Sequence, residues 1–275
     1  MPLTADIASD LARRLVANEP CWFPGLAETL VAGFWADMPD QDKASYSTTT
    51  WLGGIGPVVV AVPGHSQISI EPMPARFAER FDVPTFADAA FQAASDIASA
   101  LERLAHGHAG VAVEALIRSI HIILPSAPGY DCSHSEPTIP FSVFVSVPSG
   151  ERNATLRLAE SLLHEAMHLQ LTLIERLHAV VADEGVQGYS PWQQRQRPLQ
   201  GLVHGLYVFA AISQWLSVLT ADQQLSGQDR TYVDRRLREI GEEIDEVSAL
   251  AASPALTDFG RGLVQSLLDP SRRYQ

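Results

Sequence analysis

Residues 153–182 read NATLRLAESLLHEAMHLQLTLIERLHAVVA, and the fold turns on this stretch. It contains no proline or glycine, and apolar residues recur at Leu156, Leu163, Met167, Leu173, Ile174, Leu177 and Val181. That spacing predicts one long buried helix. Inside it stands His164-Glu165-Ala166-Met167-His168, an HExxH motif. Helical periodicity sets the imidazoles at i and i+4 on one face, one turn apart, so both can hold one metal ion. Glu165 projects beside them, within reach of a metal-bound water or of the metal itself. Two core histidines bonded to carbonyls are the bland alternative, but unpaired polar groups are costly in a buried helix.

Outward from this helix the texture changes twice. Upstream, Thr4 to Ala17 and Pro24 to Trp35 read as short helices, and residues 39–47 as a polar loop. β-rich runs follow at 47–51, 58–62 and 68–70, separated by Gly and Pro. Phe86 to Leu104 is helical. Residues 116–124 and 141–147 read as two strands joined by a loop rich in Gly, Pro, Ser and Asp. Downstream lie three further helices, at 199–220, 230–250 and 258–268. The order is helices, a small sheet, then a helical half. It predicts an α+β protein, predominantly helical, with the small sheet preceding the HExxH helix in a zincin-like arrangement. The expected segments are an N-terminal helical part (1–45), a small mixed region with the sheet (46–150) and a helical metal-binding half (151–275), joined in one catalytic domain.

Composition bounds the function. A hydrophobic content of 46% with 19% charged residues fits a soluble globular protein. The net charge of −13 argues against nucleic acid or an anionic membrane as the main partner. Cys21 and Cys132 are far apart and lack CxxC spacing, which makes a reducing cytoplasm the expected location. Met1 to Leu15 shows no apolar core of a signal peptide. Residues 199–219 form the most apolar stretch, but His204 and Gln214 within it favour a buried helix over a membrane span.

Two histidines leave a metal site open, so a third protein ligand is expected. Glu175 and His178 share the helix face with the motif, yet Glu175 sits about 10 Å along the axis from His168. His204, in Gly201-Leu202-Val203-His204-Gly205, is the better candidate: it is polar in an apolar helix and flanked by glycines that let a neighbour approach. The segment 183–198, read as an interhelical loop, is unusually long and aromatic. It carries Tyr189-Ser190-Pro191-Trp192 and then Arg195 and Arg197. Either arginine beside a metal suits a co-substrate acid or a peptide carboxylate.

The HExxH helix, the "SPW…RP" segment and the "GLVHG" helix start, in that order, resemble the HExxH-motif peptide-modification proteins. The resemblance covers roughly Leu116 to Leu219, including the strand segment from Ser133-His134-Ser135 to Ser146. It implies an iron- and 2-oxoglutarate-dependent peptide β-hydroxylase acting on a ribosomally made precursor peptide. His164, His168 and His204 then match the Fe(II) ligands. Arg197, in the matching Arg-Pro pair, becomes the 2-oxoglutarate anchor, with Arg195 as its competitor and Tyr189 or Trp192 walling the pocket. One departure stands at Gln193, where a basic residue often follows the Pro-Trp pair.

Three functions compete on these residues. In an iron oxygenase Glu165 is a supporting or metal-directed carboxylate. In a zinc metallopeptidase Glu165 deprotonates zinc-bound water that attacks an amide. However, no Glu on the next helix matches the usual third ligand, and Leu171 and Glu175 stand where the extended metzincin motif has Gly and His. The third is a peptide-binding module with a relic site, which the intact motif disfavours. In each case the expected partner is a peptide, with His134, Ser135 and Ser146 lining a groove where an extended chain adds to the sheet. Imidazole serves iron and zinc alike.

Overall fold

The computed structural model describes residues 5–17, 19, 21–40, 60–125, 127, 129–136, 138–223 and 225–269. The expected strand at 47–51 and the start of the one at 58–62 lie outside them. Among the described residues the architecture is mixed α+β, mostly helical, with a five-stranded sheet and a separate two-stranded one. The chain clusters into two compact units, Phe34–Leu169 and Met1–Gly33 with Gln170–Gln275.

The first unit holds the larger sheet. β1 (Val60–Val62) and β2 (His65–Ile70) form an antiparallel pair. They are joined through Pro63-Gly64, with Gly64 at φ 77°. Proline pre-sets one turn position and glycine supplies the left-handed one that follows. β3 (Ser119–Ile122) runs parallel to β2, and β5 (Ser142–Val145) parallel to β3. β4 (Ser133–Ser135) closes the edge antiparallel to β5, so the order is β1-β2-β3-β5-β4. The crossover from β2 to β3 carries α3 (Phe86–His106) and α4 (Gly110–Leu116). The buried face of α3 is rich in alanine (Ala90, Ala93, Ala94, Ala98, Ala100), which brings its backbone close to β1, β2 and β3.

Two sequence expectations change here. Leu116, read as the start of a strand, ends α4 instead. The segments around β3 and β5 are parallel neighbours rather than a simple pair, because a third strand forms in the loop between them. β4 is only Ser-His-Ser. Its pairing with the apolar strand β5 defines it, since its own composition carries no strand signal.

The second unit is helical. α1 (Ala5–Val16) packs its buried Leu11 and Leu15 against α8 (Asp258–Leu268). α6 (Leu199–Thr220) packs against α7 (Gly227–Glu246) and α8. α6 is long and apolar enough to cross a membrane, yet 78% of that window is buried inside the protein. Its polar groups are matched: Gln214 Oε1 accepts the Cys21 N–H at 3.1 Å. Tyr207 Oη accepts Gln170 Nε2 at 2.6 Å. α2 (Leu26–Asp37) and α5 (Ala154–Glu175) each run from one unit into the other.

The segment 183–198 is a β-hairpin rather than a loop. β6 (Gln187–Ser190) pairs antiparallel with β7 (Arg195–Pro198) around the four residues 191–194, with Gln194 at φ 50°. Four-residue hairpin loops with one left-handed position are common. The strands are polar, so their strand character was hidden. They are held by contact with α6, where a Cβ at Gly201 would meet the Arg197 guanidinium at 3.0 Å. At Gly205 it would meet the Trp192 ring at 2.4 Å. The glycines around His204 thus admit side chains of the hairpin.

Candidate metal centre

α5 begins after Asn153, which holds φ 56°, a left-handed value that asparagine tolerates. From there the helix runs unbroken through the motif. His164 Nε2 and His168 Nε2 lie 3.1 Å apart, with their rings at 70° to one another. Two imidazole nitrogens on one ion, each about 2.1 Å from it, stand roughly 3.0–3.4 Å apart for bond angles from 90° to tetrahedral. The pair therefore has the spacing of a two-tooth chelate, and the donor set fits a borderline transition metal.

Glu165 is buried at 3% exposure. Its Oε1 accepts a 2.7 Å hydrogen bond from Ser133 Oγ. Ser133 is the first residue of β4, so the sheet edge holds the carboxylate of the motif. The strand pleat sends Ser133 and Ser135 to one face and His134 to the other. His134 lies opposite Phe144 in the register and leans on the rings of Phe81 and Phe144 at 5.6 and 6.1 Å. Ser135 stands beside Val143, on the face of Ser133. Ser146 is buried, and its hydroxyl bonds both the N–H and the carbonyl of Cys132, extending the pairing of β4 with β5. Nothing in the sequence singles out Ser133, since Ser133-His134-Ser135 carries no signal of which residue meets a carboxylate across the fold.

The remaining candidates belong to the helical unit. His204 Nε2 lies 3.0 Å from Glu175 Oε2, to which Gln200 Nε2 also donates at 3.0 Å. Glu175 is the last residue of α5. His178 lies beyond that helix, contrary to the expected continuation to 182, and its Nε2 bonds the Ala8 carbonyl at 2.9 Å. Arg197 is half-buried against Gly201, with no carboxylate or carbonyl acceptor among the described residues. Arg195 is exposed and donates to Gln193 Oε1 at 3.1 and 2.8 Å. Trp192 stacks on Phe209, ring centroids 5.1 Å apart. Tyr189 lies on the outer face of the hairpin, 51% exposed.

Among the described residues, no group of three or more His, Cys, Asp or Glu is placed to hold one ion. Compared with protein-family models and with curated proteins, the chain gives no match in either.

Proposed function

We propose that this protein is an Fe(II)- and 2-oxoglutarate-dependent hydroxylase acting on a peptide side chain. The observation that carries the reading is the 3.1 Å approach of His164 Nε2 and His168 Nε2 beside a buried, hydrogen-bonded Glu165. When bound, iron and 2-oxoglutarate supply the oxidising chemistry. The chain's own residues do the rest. His164 and His168 donate two neutral nitrogens to the ion. His204 is the proposed third ligand, on the sequence argument. Glu165, oriented by Ser133, adds negative charge next to the metal and accepts hydrogen bonds there. Arg197 offers a planar fork to a carboxylate, and its lack of an acceptor among the described residues supports that role.

A peptide substrate is supported by β4. This strand pairs with β5 on one side, and no strand pairs with its other edge among the described residues. An extended chain adding there would align its backbone beside Ser133 and Ser135. The second reading, a zinc metallopeptidase of zincin-like arrangement, draws on the same edge strand and on Glu165 as base. One assay separates the two. Protein loaded anaerobically with Fe(II) and then given oxygen, 2-oxoglutarate and peptide is expected to release succinate and gain one oxygen atom on the peptide. Peptide cleavage by the zinc-loaded protein, without 2-oxoglutarate, would overturn the hydroxylase in favour of the hydrolase.

A further inference from the structure

Three donors of the β6–β7 hairpin face α6 without an acceptor among the described residues. Ser190 is fully buried, and its Oγ has no hydrogen-bond partner among the described residues. Trp192 Nε1 is likewise buried and unpartnered. Arg197 supplies the third, a guanidinium with no ion pair among the described residues. Burying polar groups without partners costs stability, and such groups in a folded protein call for an explanation.

The geometry gathers the three on one side. Ser190 pairs with Arg195 in the register and Gly188 with Arg197. Opposed residues, and residues two apart, share a face of a hairpin. That face is turned to α6, because a Cβ on Gly188 would lie 2.8 Å from Leu202. Ser190 and Arg197 are therefore diagonal neighbours on it. Trp192 follows two residues after Ser190 and packs on Gly205, one turn along α6 from the Gly201 that seats Arg197. One turn is about 6 Å for four residues. No hydrogen bond joins Glu175 to the set among the described residues; its Oε2 is met by Gln200 and His204 instead.

We propose that Ser190 Oγ, Trp192 Nε1 and the Arg197 guanidinium form a binding site for the carboxylate of a small organic acid. A carboxylate presents about four lone-pair sites on two oxygens. Two guanidinium donors, one hydroxyl and one indole N–H match that number. Donors without an acceptor select an anion over an amide or an alcohol. The identity of the acid as 2-oxoglutarate rests on the proposed function; the carboxylate site itself does not.

Calorimetric titration of the metal-free full chain tests the site directly. The probe is glutarate, which lacks the 2-oxo group and has no keto oxygen for chelation, with glutaramide as the neutral control. Glutarate is expected to bind saturably and glutaramide not to bind. Ser190→Ala and Trp192→Phe should each weaken glutarate roughly tenfold, as loss of one hydrogen bond to a charged group does. Trp192→Phe keeps the stack on Phe209, and an unchanged melting temperature shows that the fold survives. No glutarate binding, or equal affinity in both variants, overturns the site and leaves the donors facing internal water alone. Glutarate binding with donor dependence but no succinate formation defeats the hydroxylase and leaves the carboxylate site standing. Succinate formation with an unchanged 2-oxoglutarate KM in both variants does the reverse.

Discussion

The Ser133–Glu165 hydrogen bond ties the motif to the sheet through a single hydroxyl. A buried carboxylate needs its oxygens satisfied, and each charge-assisted bond limits the orientations it can take. Ser133→Ala removes that bond without adding bulk. The two imidazoles remain on their helix, so metal content should stay that of the wild type. Turnover should fall roughly tenfold or more, the loss expected for one hydrogen bond to an ionised group. Parallel metal analysis and rate measurement check this. Full activity in the variant would remove Ser133 from the site. By contrast, His164→Ala or His168→Ala breaks the chelate itself and should lower bound metal to background, read by the same metal analysis.

At the scale of elements, the informative event is where α5 stops. Periodicity alone carries the helix on to 182, yet it ends at Glu175. The following residues are drawn into contact with the C-terminal segment. The Ala182 N–H bonds the Ala255 carbonyl at 2.7 Å, the Thr257 N–H bonds the Val180 carbonyl at 3.1 Å, and Val181 bridges Leu256. β-branched Val180 and Val181 suit this extended backbone. The close approach depends on Gly260, where a Cβ would lie 2.0 Å from the Val180 carbonyl oxygen. Backbone cannot swing aside as a flexible side chain can. Gly260→Ala is therefore expected to destabilise the protein by about 2 kcal/mol or more, within the range for overpacking. Chemical denaturation measures it, and a change below about 0.5 kcal/mol, the usual size for a neutral surface substitution, would contradict it.

At the scale of the whole molecule, acid stability has an identifiable source. His121 is buried in β3, with its ring stacked 4.9 Å from Phe144 and its Nδ1 directed at the carbonyls of Glu71 and Pro72 at 3.1 and 2.9 Å. Burial pushes its pKa down to about 4, against the partial opposition of the two carbonyls. The unfolded chain protonates this residue near 6.5. Between those values the unfolded state binds more protons, so stability rises with pH across the window. The contribution is present above about 6.5 and lost as pH falls toward 4. By pH 5 the loss amounts to about 2 kcal/mol. His121→Phe should remove this part of the slope between pH 7 and 5, even if it costs stability at neutral pH. An identical slope in the variant would move the acid sensitivity elsewhere.

What the sequence determined by itself is local. The register of His164 and His168 follows from helix periodicity, which needs no information beyond four residues. The bounds of α8 and the helical character of 5–16, 86–106 and 199–220 follow from apolar spacing of the same short range. The tertiary structure decided what depends on distant partners. β4 exists because β5 offers an open edge. The hairpin at 187–198 exists because Gly201 and Gly205 leave room on α6 for Arg197 and Trp192. α5 ends where it does because residues 255–257 capture the chain after it. Ser133 meets Glu165, and His204 meets Glu175, at sequence separations of 32 and 29. Such pairings are set by packing, in which each side chain finds its partner only after the elements have docked, and no periodicity in either segment encodes them.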